Sequence, residues 1–150
     1  MEKIYMSWEK FDKDIAEFVK FINENDFAKD SVILAVKRGG FASSTALSNK
    51  LGIEVSTVTY QLRDGQDKYP KFLEPDLIDS AKKIIIPDDI YDTGKTIEDI
   101  VSSLVNVYGF SLDNIAGLFH YGSENLKNTK LKLYKVIEPN NGLWCVFPWE

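Results

Sequence analysis

The residues most able to do chemistry fall in one short run, Ile84-Ile85-Ile86-Pro87-Asp88-Asp89-Ile90-Tyr91-Asp92-Thr93-Gly94-Lys95-Thr96. An apolar stretch meets two adjacent acids, and a turn follows with a third acid, two threonines, a glycine and a lysine. Asp88 and Asp89 cannot take an anion, but they can accept hydrogen bonds from a sugar diol or hold a hydrated divalent cation. If a helix starts at the turn, the free N–H groups of Thr93 to Thr96 make an anion site, and phosphate is its natural occupant. Gly94 lets the backbone come close, while the hydroxyls of Thr93 and Thr96 and the ammonium of Lys95 add donors. Asp92, between the acid pair and the turn, is placed to take a proton. One site for phosphate, diol and metal describes a sugar phosphate. A second candidate is Lys37-Arg38-Gly39-Gly40. Two cations and two glycines suit a diphosphate, because the cations supply charge and the glycines allow backbone approach. Gly94-Lys95-Thr96 does not close a P-loop, since the first glycine of that motif would have to stand where Asp89 is.

Both runs need a strand before them and a helix after them. Ile84 to Ile86 reads as a buried strand, and Ile97, Ile100, Val101, Leu104, Val105 and Tyr108 recur on one helical face. Pro87 removes a backbone donor, so the ladder is expected to stop there. Ser31 to Val36 is a second apolar strand, followed by a helix through Ala42, Ala46, Leu47 and Leu51. Such strand-to-helix corners are where open α/β sheets bind ligands. Ser7 reads as an N-cap with Glu9 in the first turn. Trp8, Phe11, Ile15, Phe18, Val19 and Ile22 then form an apolar face to about residue 24, which should cover one side of the sheet. Glu54 to Tyr60 is a further strand. From Gln61 to about Ser80 the pattern collapses, because the stretch from Arg63 to Lys71 cannot build a core. This segment is expected to be a long irregular loop, and such loops are often functional. Gly109 ends the helix after the acidic run. Asn114 to His120 is the next strand, and Leu131, Leu133, Val136 and Ile137 mark a more exposed one, guarded as an edge by lysines 130, 132 and 135.

The run from Ile84 to Thr96 resembles the phosphoribosyl-pyrophosphate (PRPP) signature of the type I phosphoribosyltransferases, departing from it at Pro87 and Tyr91. Val36-Lys37-Arg38-Gly39-Gly40 is similar to the pyrophosphate loop of the same enzymes. The tail, Trp144-Cys145-Val146-Phe147-Pro148-Trp149-Glu150, resembles that of the xanthine-guanine branch and related purine phosphoribosyltransferases. The resemblance implies that Asp88, Asp89, Asp92, Thr93, Gly94, Lys95 and Thr96 bind the ribose and 5′-phosphate of PRPP. It implies that Lys37, Arg38 and Gly39 hold the pyrophosphate, that Trp144 stacks on a purine, and that Cys145 offers the base its backbone carbonyl. An aromatic face is a sound platform for a flat base, whereas Trp149 reads slightly more as packing. Asp92 would handle the base proton. Mg²⁺ is the implied cofactor, near Asp89 and held in part through water. The mobile loop of the family falls between Gln61 and Ser80, with Arg63, Lys68 and Lys71 as candidates to reach the pyrophosphate. That branch usually places a Lys after the strand before the tail, to donate to a 6-oxo group; here the region reads Leu118-Phe119-His120-Tyr121-Gly122, and either His120 or Tyr121 could donate. By the same resemblance, the segment from Ser123 to Lys130 looks longer than in close relatives.

With 150 residues, 44% hydrophobic and 27% charged, the chain suits one globular domain over 1–150. The expected fold class is α/β, a mostly parallel twisted sheet flanked by helices, with a small hood from the N- and C-terminal segments. A net charge of −5 argues against nucleic acid as a partner. The single cysteine excludes an internal disulfide and fits a reducing, cytoplasmic setting. No run is apolar and long enough to span a membrane, and none resembles a signal peptide. The expected function is transfer of the phosphoribosyl group of PRPP to a purine, with a 6-oxopurine favoured, by a homodimer or homotetramer. The alternatives are a non-catalytic PRPP- or nucleotide-binding regulator on the same fold, or a phosphoribosyltransferase for another base.

Overall fold

Branched apolar residues at alternating positions build the centre of the molecule. In the computed structural model, which describes residues 2–62 and 68–150, β2 (Ser31–Val36) and β5 (Lys83–Tyr91) lie side by side and parallel. Their side chains divide by parity. Ile33 and Ile85 face one core, and Val32, Leu34, Ile84 and Ile86 face the other. Strands buried on both faces read as continuous apolar runs, which is why both were visible in the sequence.

The sheet has the order β4-β3-β2-β5-β6-β7, where β3 is Val55–Leu62, β4 Lys68–Phe72, β6 Ile115–Gly122 and β7 Leu133–Pro139. All neighbours are parallel except β3 and β4. One face is covered by α1 (Trp8–Glu24) and α2 (Phe41–Leu51), the other by α3 (Pro75–Ser80) and α4 (Lys95–Asn106). The Ser7 hydroxyl accepts the Lys10 N–H at 3.0 Å and caps α1 as expected, while Phe11, Ile15, Phe18 and Ile22 are buried beneath it. A separate parallel pair, β1 (Lys3–Tyr5) with β8 (Trp144–Val146), forms the hood. Met6, Cys145 and Phe147 join it to the α1/α2 core.

Three expectations need correction. The stretch from Gln61 to Ser80 is not one irregular loop, because β4 pairs with β3 from Val58↔Phe72 to Leu62↔Lys68 and α3 follows it. An exposed antiparallel edge strand of Lys-Tyr-Pro-Lys-Phe carries no apolar alternation, and α3 buries only Ile78, so neither left a periodic signal. The ladder also does not end at Pro87 on both sides. Pairing with β2 ends at Ile33↔Ile85, but pairing with β6 continues through Pro87↔Leu118 to Tyr91↔Gly122. Proline lacks one donor, so it interrupts bonding toward only one neighbour. Strand β6 extends two residues past His120. Strand β7 does lie at the edge of the sheet, and Gly109, with φ +80°, closes the end of α4 as Phe110 N–H reaches the Leu104 carbonyl at 3.0 Å.

Candidate active site

The chain leaves β2 toward β3 on one side and leaves β5 toward β6 on the other, so the crevice between β2 and β5 is the topological switch point of the sheet. The segments after these strands, 37–40 and 92–94, flank that crevice. Both sequence candidates therefore meet at one place, although about 50 residues separate them in the chain. The contact is close. A Cβ on Gly39 would lie 2.4 Å from Asp89 Oδ2, and one on Gly40 would lie 2.5 Å from the Pro87 carbonyl oxygen. Glycine is required here because the two strand ends share the space a side chain would need.

The acid pair is held differently at its two positions. Asp88 is buried and its Oδ1 accepts the Asp89 N–H at 2.8 Å. Burial foremost, then the adjacent Asp89 charge, pushes the Asp88 carboxyl well above the ordinary value of 3.8. Asp89 is half-buried, and its Oδ1 accepts the Ile90 N–H at 2.7 Å. Asp92 is exposed, and its backbone carbonyl accepts the Ser123 hydroxyl and, at 3.0 Å, the Asn125 Nδ2.

Gly94, with φ +86°, is the N-cap of α4, and no side chain caps that helix start. The Lys95 N–H donates to the Thr93 hydroxyl at 3.3 Å, and the N–H groups that follow it in the first turn keep their capacity for an anion. A small cleft of about 110 Å³ is bounded by Asp88, Asp92, Thr93, Gly94, Lys95 and Thr96. The Lys95 side chain is largely exposed. Its Nζ pairs with Asp99 at 3.2 Å, and Asp99 also accepts the Tyr60 hydroxyl from β3. The expected ammonium donor is held in this structure by an exposed pair along the helix.

A larger cleft of about 490 Å³ opens beside the β2 corner, lined by Arg38, Gly39, Phe41, Ala42, Asp89, Trp149 and Glu150. Lys37 and Arg38 are exposed, and the peptide between them is cis. Trp149 stacks on Phe147 at 5.0 Å between centroids and 13° between planes, and forms one wall. Trp144 lies on β8 with 58% of its surface exposed, outside the residues that line this cleft. Cys145 is buried; burial first, then the charges of Asp89, Glu150 and Asp92, raise its thiol pKa. Of the loop candidates, Lys71 is exposed on β4, Lys68 begins that strand, and Arg63 lies outside the described residues.

His120 does not face a ligand. It is fully buried, with Nδ1 2.7 Å from Asp14 Oδ2 and Nε2 2.6 Å from the Ser43 hydroxyl. Asp14 also accepts two bonds from Lys10 Nζ at 2.9 Å, and since a carboxylate only accepts, Nδ1 is the donor to it. This array joins α1, α2 and β6, with the imidazole at its centre closed off from solvent. Both ring nitrogens being engaged, His120 is removed from the candidates for a base donor. Tyr121 is also buried, but its hydroxyl has no partner among the described residues.

Sequence reasoning missed Phe41 and Glu150 as cleft residues and Glu98 as a hub. Glu98 accepts the Tyr91 hydroxyl at 2.8 Å, the Thr129 hydroxyl at 2.7 Å and the Lys130 N–H at 2.7 Å. Burial first, with the Glu98 carboxylate adding, pushes the Tyr91 phenol up to about 12. The available signal was the pair of Tyr91 at an aliphatic position of the motif and an acid seven residues later.

The open sheet thus brings an acid pair, a helix start and a basic Gly-Gly turn together at one switch-point crevice, the place where α/β proteins of this architecture bind ligands. The chain belongs to the type I phosphoribosyltransferase family: the phosphoribosyl transferase domain model matches residues 2–149. As a member it is a pentosyltransferase enzyme. Among solved structures it is similar to purine phosphoribosyltransferase from Pyrococcus horikoshii, at 25% identity and TM-score 0.71, covering 100% of this chain and 95% of that one. The xanthine-guanine-hypoxanthine phosphoribosyltransferase of Helicobacter pylori shares the fold at TM-score 0.78 and 21% identity, covering 99% and 94%. A Neisseria gonorrhoeae protein solved with bound ppGpp shares it at TM-score 0.73 and 19% identity, covering 99% and 89%.

Proposed function

We propose that the protein transfers the 5-phosphoribosyl group of PRPP to a purine base, with a 6-oxopurine as the preferred acceptor, giving the nucleoside 5′-monophosphate and pyrophosphate. The observation that carries this reading is the meeting of the two corners, with Asp89 packed against Gly39 at the switch point. It supports one substrate lying across both turns, with its 5′-phosphate at one and its pyrophosphate at the other. The names of the Pyrococcus and Helicobacter enzymes favour a purine acceptor.

In this mechanism the N–H groups and hydroxyls of the Thr93–Thr96 turn hold the 5′-phosphate, and Asp88 and Asp89 accept from the ribose hydroxyls. Lys37 and Arg38 neutralise the departing pyrophosphate, and Gly39 lets it approach the backbone. Glycosyl transfer passes through a transition state of oxocarbenium character, so the protein's work is to position the base, stabilise the leaving group and exclude water. Trp144 stacks on the base, Cys145 offers its carbonyl, and Asp92 takes the proton that the base loses. Enzymes of this family generally use Mg²⁺ with PRPP. No cluster of three or more His, Cys, Asp or Glu side chains suited to a metal occurs among the described residues. Asp89 would hold the ion, in part through water, and the ion would supply charge neutralisation on the pyrophosphate. The single thiol fits a cytoplasmic site of action, and a homodimer or homotetramer is the working assembly we infer from the family.

The Neisseria structure with bound ppGpp favours one second reading, a regulatory nucleotide-binding protein on this fold. Pyrophosphate release separates the two. The protein is incubated with PRPP, Mg²⁺ and hypoxanthine, guanine, xanthine, adenine or uracil singly. Release dependent on a 6-oxopurine is the expected result. Nucleotide binding with no release from any base would support the regulator instead, and release with adenine or uracil alone would reassign the acceptor.

A further inference from the structure

We propose that Tyr91, Glu98 and Thr129 form a clamp that fixes the floor of the Asp92–Thr96 turn, so that they are positioning residues for the phosphate-bearing end of the substrate. The inference rests on the reading of that turn as the 5′-phosphate site. Its first ground is steric. A Cβ on Gly94 would lie 2.2 Å from the Tyr91 hydroxyl oxygen, so this hydroxyl fills the space directly beneath the turn. Tyr91 is buried, and its ring meets Phe119 edge-on at 5.4 Å, which fixes the ring plane. The hydroxyl is in turn fixed by its 2.8 Å bond to Glu98 Oε2.

The second ground is charge. Glu98 lies in the first turn of α4, where a carboxylate favours the helix dipole but competes with an incoming anion. Three donors occupy it: the Tyr91 and Thr129 hydroxyls on Oε2 and the Lys130 N–H on Oε1. The clamp therefore keeps the carboxylate beneath the turn and satisfied, rather than exposed at the helix start. The third ground is connectivity. The segment that supplies Thr129 and Lys130 also supplies the Ser123 and Asn125 side chains to the Asp92 carbonyl, and the Ser123 N–H to the Tyr91 carbonyl at 2.8 Å. The Ser123–Lys130 segment thus grips the turn at its entry and beneath its glycine. Tyr91, Thr129 and this segment belong together: the buried phenol needs an acceptor, and the acceptor needs further donors.

The test compares Tyr91→Phe and Thr129→Val with the parent protein, measuring kcat, KM for PRPP, and inhibition by ribose 5-phosphate and by pyrophosphate. Each substitution keeps the packing and removes one hydroxyl. Losing a bond to a charged acceptor predicts that KM for PRPP and the inhibition constant of ribose 5-phosphate rise together by about tenfold. Inhibition by pyrophosphate and kcat should each change by less than about threefold. A lower melting temperature with unchanged KM and ribose 5-phosphate inhibition would reduce the cluster to a structural one and overturn the proposal. So would equal weakening of pyrophosphate. If Tyr91→Phe fails to fold, Thr129→Val and Glu98→Gln carry the same comparison. A parent protein that neither turns over PRPP nor binds ribose 5-phosphate would remove the functional reading itself, a result distinct from variants that bind as well as their parent.

Discussion

Replacing Gly94 by Ala tests whether the acidic turn is built as described. Two costs follow from the structure. A Cβ at φ +86° strains the backbone, and left-handed geometry costs a non-glycine residue about 1–2 kcal/mol. The same Cβ would lie 2.2 Å from the Tyr91 Oη and 2.4 Å from its Cζ, and both belong to a buried ring that cannot swing away. Forcing a methyl into packed space costs a further 1–3 kcal/mol or so, giving a total of about 2–5 kcal/mol. Tyr91→Val removes the obstacle and leaves a cavity, at a cost of roughly 2–4 kcal/mol. In the double variant the clash is gone, so Gly94→Ala should then add only its backbone strain, about 1–2 kcal/mol. Urea unfolding of the four proteins gives the cycle. A Gly94→Ala cost below about 1 kcal/mol, or a double variant equal to the sum of its parts, would refute the packing argument.

Two other outcomes follow from the same geometry. Asp92→Asn should lower turnover by about a hundredfold or more while KM for PRPP stays within about threefold, since a general base acts in the transition state; equal turnover in steady-state assays would remove Asp92 from the mechanism. Asp88→Asn should melt higher than the parent at neutral pH. The folded state raises this carboxyl above 3.8, so it binds its proton more tightly than the unfolded chain. Stability is therefore lost as pH rises from the unfolded value through the raised folded one, and the full penalty stands above it. Melting curves across pH should show the advantage of Asn shrinking on acidification, and a variant that melts lower at neutral pH would contradict this.

The corner at Ile84–Thr96 was legible because its chemistry is local: an apolar strand, acids at its end and a helix start all sit within one run. The β2 corner and the Ser7 cap were legible for the same reason. Strand β4 was not, because an edge strand of Lys, Tyr, Pro and Lys offers only its last residue, Phe72, to the core, too little to impose alternation. Contacts made across the fold were also hidden. The Asp14–His120 bond spans 106 residues and the Ser43–His120 bond 77, so the partners of the only histidine could not be read from its neighbours in the chain. The pairing of Lys95 with Asp99, one helical turn on, was not singled out in the sequence either. Trp149 read as packing, and it does stack on Phe147, yet it also lines the larger cleft. One aromatic ring can satisfy both demands, and spacing alone does not separate them.

The most direct test of the central claim is product analysis of a single reaction: protein, Mg²⁺, PRPP and hypoxanthine, resolved by mass spectrometry with pyrophosphate measured in parallel. The account predicts the nucleoside 5′-monophosphate of hypoxanthine and pyrophosphate in equal amounts, both abolished when the base is omitted. Unconsumed PRPP and base, with nucleotide binding intact, would contradict it.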